Sequence, residues 1–124
     1  MTMVISDSGV QFADASLQSK AVPTPIYGCR AWCTFDGTLT GTNAPSAGGN
    51  VTSVTRNSAG NYTVNFTTAL PAANSSVSVA CNGSGAGGIP YSGVTSISTA
   101  SVTVVTANGG SYVDSSLVTV IVIR

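Results

Sequence analysis

Asp36-Gly37-Thr38 is the segment best suited to covalent chemistry, since an Asp-Gly-Thr triplet can serve phosphoryl transfer through a carboxylate nucleophile two places upstream. That place holds Thr34, so no aspartyl-phosphate can form, and Asp36-Gly37 reads more simply as a turn closing a strand. Gly83-Ser84-Gly85-Ala86-Gly87-Gly88 has the glycine spacing of a dinucleotide-binding loop. Such a loop works only where a helix follows and aims its first amides at the pyrophosphate; here Ile89-Pro90-Tyr91 follows and starts none. The cysteines are three, an odd number, which makes no disulfide framework. Cys29 and Cys33 stand about 13 Å apart if the stretch between them is extended at about 3.3 Å per residue, too far for a bridge. Cys81 is able to pair with either. The simpler reading makes all three small buried hydrophobes, without the spacing or the fourth partner of a metal site.

The composition narrows the function classes further. The chain of 124 residues carries four acidic and four basic side chains and no histidine. Every acidic residue is an aspartate (Asp7, Asp14, Asp36, Asp114), and Lys20 is the one lysine. Without His or Glu, general acid–base catalysis and common zinc sites lose their usual groups, so neither an enzyme nor a bound cofactor is expected. Zero net charge removes the electrostatic attraction that drives nucleic-acid binding and adsorption to anionic membranes. No stretch approaches the roughly 20 apolar residues of a membrane span, and no secretory leader pattern opens the chain. A soluble protein made in a cytoplasm is expected.

Hydrophobic period two runs through almost the whole chain and predicts an all-β fold. In 61–68, Tyr62, Val64 and Phe66 alternate with Asn61, Thr63 and Asn65, the pattern of a half-buried strand. Ala31, Cys33 and Phe35 share one face of an earlier strand, and Val77, Val79 and Cys81 one face of a later one. Further strands are predicted near 51–55, 94–99, 101–106 and 117–123. Asp7-Ser8-Gly9 reads as a tight hairpin turn between Val4-Ile5 and Val10-Gln11-Phe12. The Gly/Pro/Asn/Ser clusters 41–50, 83–90 and 107–112 are read as loops, and short strands so spaced predict a two-sheet antiparallel β-sandwich. Residues 1–22 are read as an N-terminal arm with a hairpin, and 23–124 as the sandwich domain, entered through Pro23-Thr24-Pro25.

Three groups of residues then stand out as surfaces. Leu117-Val118-Thr119-Val120-Ile121-Val122-Ile123 is apolar on both faces, so its second face is expected to meet another subunit, with Val118, Val120 and Val122 as the candidate trimer contact; the alternatives are internal burial or packing beneath the N-terminal arm. Tyr91 and Tyr112 sit in Gly/Ser/Asn-rich surroundings like those of binding loops, where rings supply contact area at low entropy cost. Asn-x-Ser/Thr triplets begin at Asn50, Asn61, Asn65, Asn74 and Asn82 and are read as polar outer-face residues.

The strand Arg30-Ala31-Trp32-Cys33-Thr34-Phe35-Asp36-Gly37-Thr38, with Gly60-Asn61-Tyr62-Thr63-Val64-Asn65-Phe66 after it, resembles the distal β-module of tailed-phage tail fibres and tailspikes. Gly9-Val10-Gln11-Phe12-Ala13-Asp14-Ala15-Ser16-Leu17-Gln18 is similar to an element that joins fibre segments. The likeness spans roughly residues 9–82; Cys33 and the loop 39–50 depart from it. It implies a virion structural protein, trimeric about a threefold axis and without catalysis. As a lone module beginning at a methionine, the chain is expected to be a capsid decoration (cement) protein on the virion surface, made in the host bacterial cytoplasm. Its partners would be two copies of itself and the major capsid protein, with the N-terminal hairpin meeting the shell. As a fragment of a longer fibre it would instead be a receptor-binding tip, with a host-surface glycan as partner.

Overall fold

The computed structural model describes residues 28–83 and 88–124 in full, and before them the backbone of three short strands: β1 (Val4–Ser6), β2 (Gly9–Gln11) and β3 (Leu17–Gln18). β1 and β2 pair antiparallel with Ser6 opposite Gly9, and β3 adds to β2. The turn residues Asp7 and Ser8, the boundary at 22/23 and residues 84–87 of the glycine-rich loop lie outside the described residues.

The rest of the chain is strand and turn, with no helix among the described residues. Its strands are β4 (Cys29–Phe35), β5 (Gly41–Asn43), β6 (Ala47–Gly49), β7 (Val51–Ser58), β8 (Asn61–Phe66), β9 (Ser76–Cys81), β10 (Pro90–Ile97), β11 (Ser101–Asn108), β12 (Ser111–Tyr112) and β13 (Val118–Ile123). They form two antiparallel sheets. One has the order β10-β11-β8-β7-β5, with β12 also on β11; the other is β6-β4-β13-β9. The two pack face to face in the arrangement of a β-sandwich. β9 and β10, edge strands of different sheets, meet where Ser92 Oγ donates to the Val79 carbonyl at 2.8 Å.

Period two fixes what lies between the sheets. Ala31, Cys33 and Phe35 from β4 face Val54, Tyr62, Val64, Phe66, Val102 and Val104 from the larger sheet, all in one buried cluster. Phe35 and Tyr62 meet edge to face, with centroids 5.2 Å apart and planes at 70°, the geometry that aligns a ring edge with a π face. β13 adds Val118, Val120 and Val122, which are 0%, 1% and 0% exposed, and Leu70 joins the cluster from the loop after β8. The expectation that these three valines form the trimer contact is therefore corrected, because each is enclosed by its own chain. The register Val118↔Phe35, Val120↔Cys33 and Val122↔Ala31 places them beside the inward residues of β4, and directly opposed residues project from one face.

Two of the predicted loops contain strands. The segment 41–50 includes β5 and β6, whose sequences Gly-Thr-Asn and Ala-Gly-Gly have low strand propensity and are held by pairing with β7 and β4. The segment 107–112 is the end of a hairpin: Asn108 pairs with Ser111 across Gly109-Gly110. Both of these glycines have positive φ (59° and 88°), which a two-residue turn of the type I′ kind requires. Asn61 and Asn65 lie on the outer face as expected, Asn65 donating to Ser53 Oγ at 3.1 Å. Asn50, Asn74 and Asn82 do not: they serve loops. Asn50, at φ 56°, donates to the carbonyls of Arg30 and Thr68 and accepts from the Thr68 amide, joining β4 to the residues that follow β8 just before β7 begins.

No cysteine is bonded to another: Cys29 is exposed, Cys81 half-buried and Cys33 buried. Burial pushes the Cys33 thiol up to about 12. At neutral pH it therefore presents almost no thiolate, the nucleophilic form. In thiol titration of the folded protein, Cys29 should react at the rate of an exposed thiol and Cys33 only after denaturant is added. Rapid native labelling of Cys33 would contradict the packing described here.

Candidate functional site

The densest polar constellation gathers at the end of the sandwich where β13 begins. Asp114, in the segment between β12 and β13, accepts a forked interaction from Arg56 of β7: Nη2 donates to Oδ2 at 2.7 Å and Nε to Oδ1 and Oδ2 at 3.0 and 3.1 Å. The same carboxylate accepts the Gly60 amide at 2.9 Å and the Tyr62 hydroxyl at 3.0 Å. The strand alternation that buries the Tyr62 ring carries its hydroxyl to this rim, where Gly37 lets it in. A Cβ at Gly37 would overlap the phenol and stand 2.8 Å from the Ser115 carbonyl, which accepts the Gly37 amide at 2.8 Å.

The charges follow this geometry. The Arg56 fork holds the Asp114 carboxyl below its ordinary 3.8, with the Gly60 amide and Tyr62 hydroxyl adding to the effect and burial opposing it. Burial raises the Tyr62 hydroxyl above its ordinary 10, so it stays a donor. A cavity of about 20 Å³ beside the cluster, lined by Phe35, Asp36, Leu39, Asn43, Arg56 and Tyr62 among others, has room for about one water. Ligand pockets run to roughly 300 Å³ or more. With Arg56, Gly60 and Tyr62 all donating to Asp114, the constellation is a clamp that fastens the β12–β13 segment to β7 and β8.

Asp36 lies apart from this clamp in its bonding: its carboxylate accepts the Thr38 amide at 2.9 Å and the Thr38 hydroxyl at 2.7 Å, closing the turn after β4. Those two bonds lower its ionisation from the ordinary value. Ser115 fastens the neighbouring loop, its hydroxyl lying against the Asn82 side chain and the Leu117 carbonyl. Among the described residues, no three His, Cys, Asp or Glu side chains come together to hold a metal ion.

The two outer faces of the sandwich differ sharply. That of the larger sheet is a ladder of side chains bonded to one another: Thr42 with Thr55 at 2.9 Å, Asn57 with Asn61 at 2.8 Å and with Thr63 at 2.9 Å, Asn65 with Ser53. On the smaller sheet, Trp32 and Ile121 are cross-strand partners, with Ile123 next along β13. These three are 42%, 38% and 45% exposed. Toward the far end of the same face, Ala80, Thr119 and Leu117 border a shallow depression of about 220 Å³. Among the described residues of the smaller sheet, the exposed apolar row is thus Trp32–Ile121–Ile123, one residue out of step with the valines that the sequence singled out. Thr119, the one polar residue of the strand, marks that outward parity and is the signal that could have found it.

Tyr91 and Tyr112, which the sequence only groups by composition, are brought into one row. Tyr91 of β10 and Tyr112 of β12 both pair with Ala107 of β11.

No family model, curated protein or solved structure matches the chain.

Because folding holds the Asp114 carboxyl below its unfolded value, its contribution is complete above about pH 4 and is lost as pH falls through the lower, folded value. Urea unfolding midpoints should therefore be flat near neutrality and fall on acidification below about pH 4, with Asp114→Asn weakening that dependence and lowering the neutral midpoint. Tyr62→Phe should cost about 1 kcal/mol or more, because it removes the hydroxyl that donates to Asp114 and that Thr106 Oγ1 and the Ser115 amide also approach at 3.4 Å. An unchanged neutral midpoint for both variants would remove the clamp assignment.

Proposed function

We propose that the chain is a non-catalytic structural module of a phage virion surface, assembled as a homotrimer and serving as a decoration protein on the capsid shell. The observation that carries this reading is the exposed Trp32–Ile121–Ile123 row, set against an opposite face whose polar groups bond among themselves. Exposed apolar side chains gathered on one sheet face are what subunit contacts bury. The likeness of the Trp32 strand and the Tyr62–Phe66 strand to phage fibre modules supplies the threefold arrangement and the virion setting. Zero net charge leaves no long-range repulsion between copies. A module bound to the assembled shell and not to its free subunits would stabilise the shell by mass action. A second reading, adhesion to a host surface as a fibre tip, is favoured by the exposed pair Tyr91 and Tyr112.

Sedimentation equilibrium of the purified chain should give three times the subunit mass. Ile121→Asp should yield a folded monomer, since the charge falls at the contact and remains hydrated once the copies part. Val120→Asp should fail to fold at all, because it buries a charge with no partner in the core. A wild-type monomer, or a trimer indifferent to Ile121→Asp, would sink the assembly. Gold-labelled antibody on virions should mark heads; label confined to tail appendages would replace decoration with adhesion.

A further inference from the structure

Asn82-Gly83 and Asn108-Gly109 are pairs that can react with themselves. The glycine nitrogen attacks the asparagine side-chain carbonyl carbon, and the missing Cβ leaves that approach unhindered. The fold treats the two pairs differently. Asn82 is held at both polar atoms of its side chain. Its Nδ2 donates to Ser116 Oγ at 2.9 Å, while Oδ1 accepts the Leu117 amide at 3.2 Å and lies against the Ser115 hydroxyl. The Asn82 backbone amide also donates to the Leu117 carbonyl at 3.1 Å. Turning this side chain onto the Gly83 nitrogen would break all three of its bonds together.

Asn108 ends β11 and pairs with Ser111 across Gly109-Gly110. Both turn glycines have positive φ, and each has open space where a Cβ would stand. Gly88 makes the wall on the other side. A Cβ there would overlap Asn108 Oδ1, and it would stand 2.8 Å from Asn108 Cγ and 3.1 Å from the Gly109 nitrogen. The electrophilic carbon and the attacking nitrogen therefore border one point, which a side chain at position 88 would occupy. Reacting atoms must come to about 3–3.5 Å of each other. A glycine on the attacking side lets one peptide rotate to that distance.

We infer that Asn108 is a site of spontaneous deamidation and isomerisation, and that the bonds on Asn82 protect the second pair. The Gly109 nitrogen bonds to Asn108 Cγ, the Cγ–Nδ2 bond breaks, and ammonia leaves with the proton lost from Gly109. Water then opens the succinimide ring at either of its two carbonyl carbons. One opening leaves an ordinary aspartate. The other leaves an isoaspartate, whose main chain runs through the former side chain and is one carbon longer. No oxidant or reductant takes part. Either product places a negative charge at the hairpin tip. β12 pairs with β11 at Ala107↔Tyr112 and Asn108↔Ser111, so the longer main chain shifts Tyr112 off Ala107.

Incubation of the full chain in mildly alkaline buffer, with and without urea, tests this. Chymotryptic cleavage after Tyr91 and Tyr112 separates the two pairs, and Asn108 is the one Asn or Asp between those tyrosines. Isoaspartyl methyltransferase with a labelled methyl donor measures isoaspartate in each peptide, and tandem mass spectra assign the amide-to-acid change to a residue. In the folded chain Asn108 should react at least ten times faster than Asn82. In urea the two should react at similar rates, because the bonds on Asn82 are gone. Equal rates in the folded chain, a faster Asn82, or an Asn108 that reacts only in urea overturns the inference. A tenfold preference that persists in urea overturns it too, since the fold would then not be its cause.

Discussion

A strand with neighbours on both sides in a two-layer fold has one face in the core and the other turned away from both layers. β13 is that strand, held between β4 and β9. Its alternation cannot be shifted by one residue without moving Val118, Val120 and Val122 into water and Ile121 and Ile123 into the core. The valines fit the space opposite Tyr62, Val64, Val102 and Val104, so the register is set, and the isoleucines are consigned to the surface by the same step. Trp32 follows from the identical rule on β4, because Ala31 and Cys33 claim the interior. The exposed face is thus a consequence of how the core is filled.

The second constraint acts at the far end. Between β12 and β13 the chain must pass from the larger sheet to the smaller one, and its polar backbone needs partners there. Asp114 supplies the anchor, gathering Arg56, Gly60 and Tyr62, while the Thr106 carbonyl accepts the Val113 amide at 3.1 Å and the Thr106 hydroxyl donates to the Val113 carbonyl at 2.6 Å. Tyr112 lies two residues before Asp114, so the clamp also fixes where that ring stands. An interior ion pair is often an indifferent stabiliser compared with apolar packing; here each partner remains 23% exposed, and its worth lies in fixing one crossing geometry.

Most of the fold was legible because period two is a strong signal over long strands: the inward triads of β4 and β8 stand as read. What escaped was short or set by partners. β5, β6 and β12 have two or three residues each, with glycine or asparagine in the first two, and are strands only because neighbours pair with them. The outward parity of β13 was missed because a run of valine and isoleucine is apolar in both registers, leaving Thr119 alone to break the tie. Arg56 and Asp114 are 58 residues apart in sequence, and nothing local joins them. Tyr91 and Tyr112 were noticed for their surroundings, but their common partner Ala107 exists only once three strands are in register.

The backbone bonds between Gly28 and Arg124, 2.8 Å one way and 3.1 Å the other, put the start of β4 beside the end of β13. β4 and β13 run away from that point together, to Phe35 and Val118, and the hairpin bearing Tyr112 belongs to the opposite end. A tether at the Gly28–Arg124 pole would hold the tyrosine hairpin outermost. A mechanical load pulling those two residues apart would peel β4 from β13 one rung at a time, a far weaker arrangement than shear along the strands.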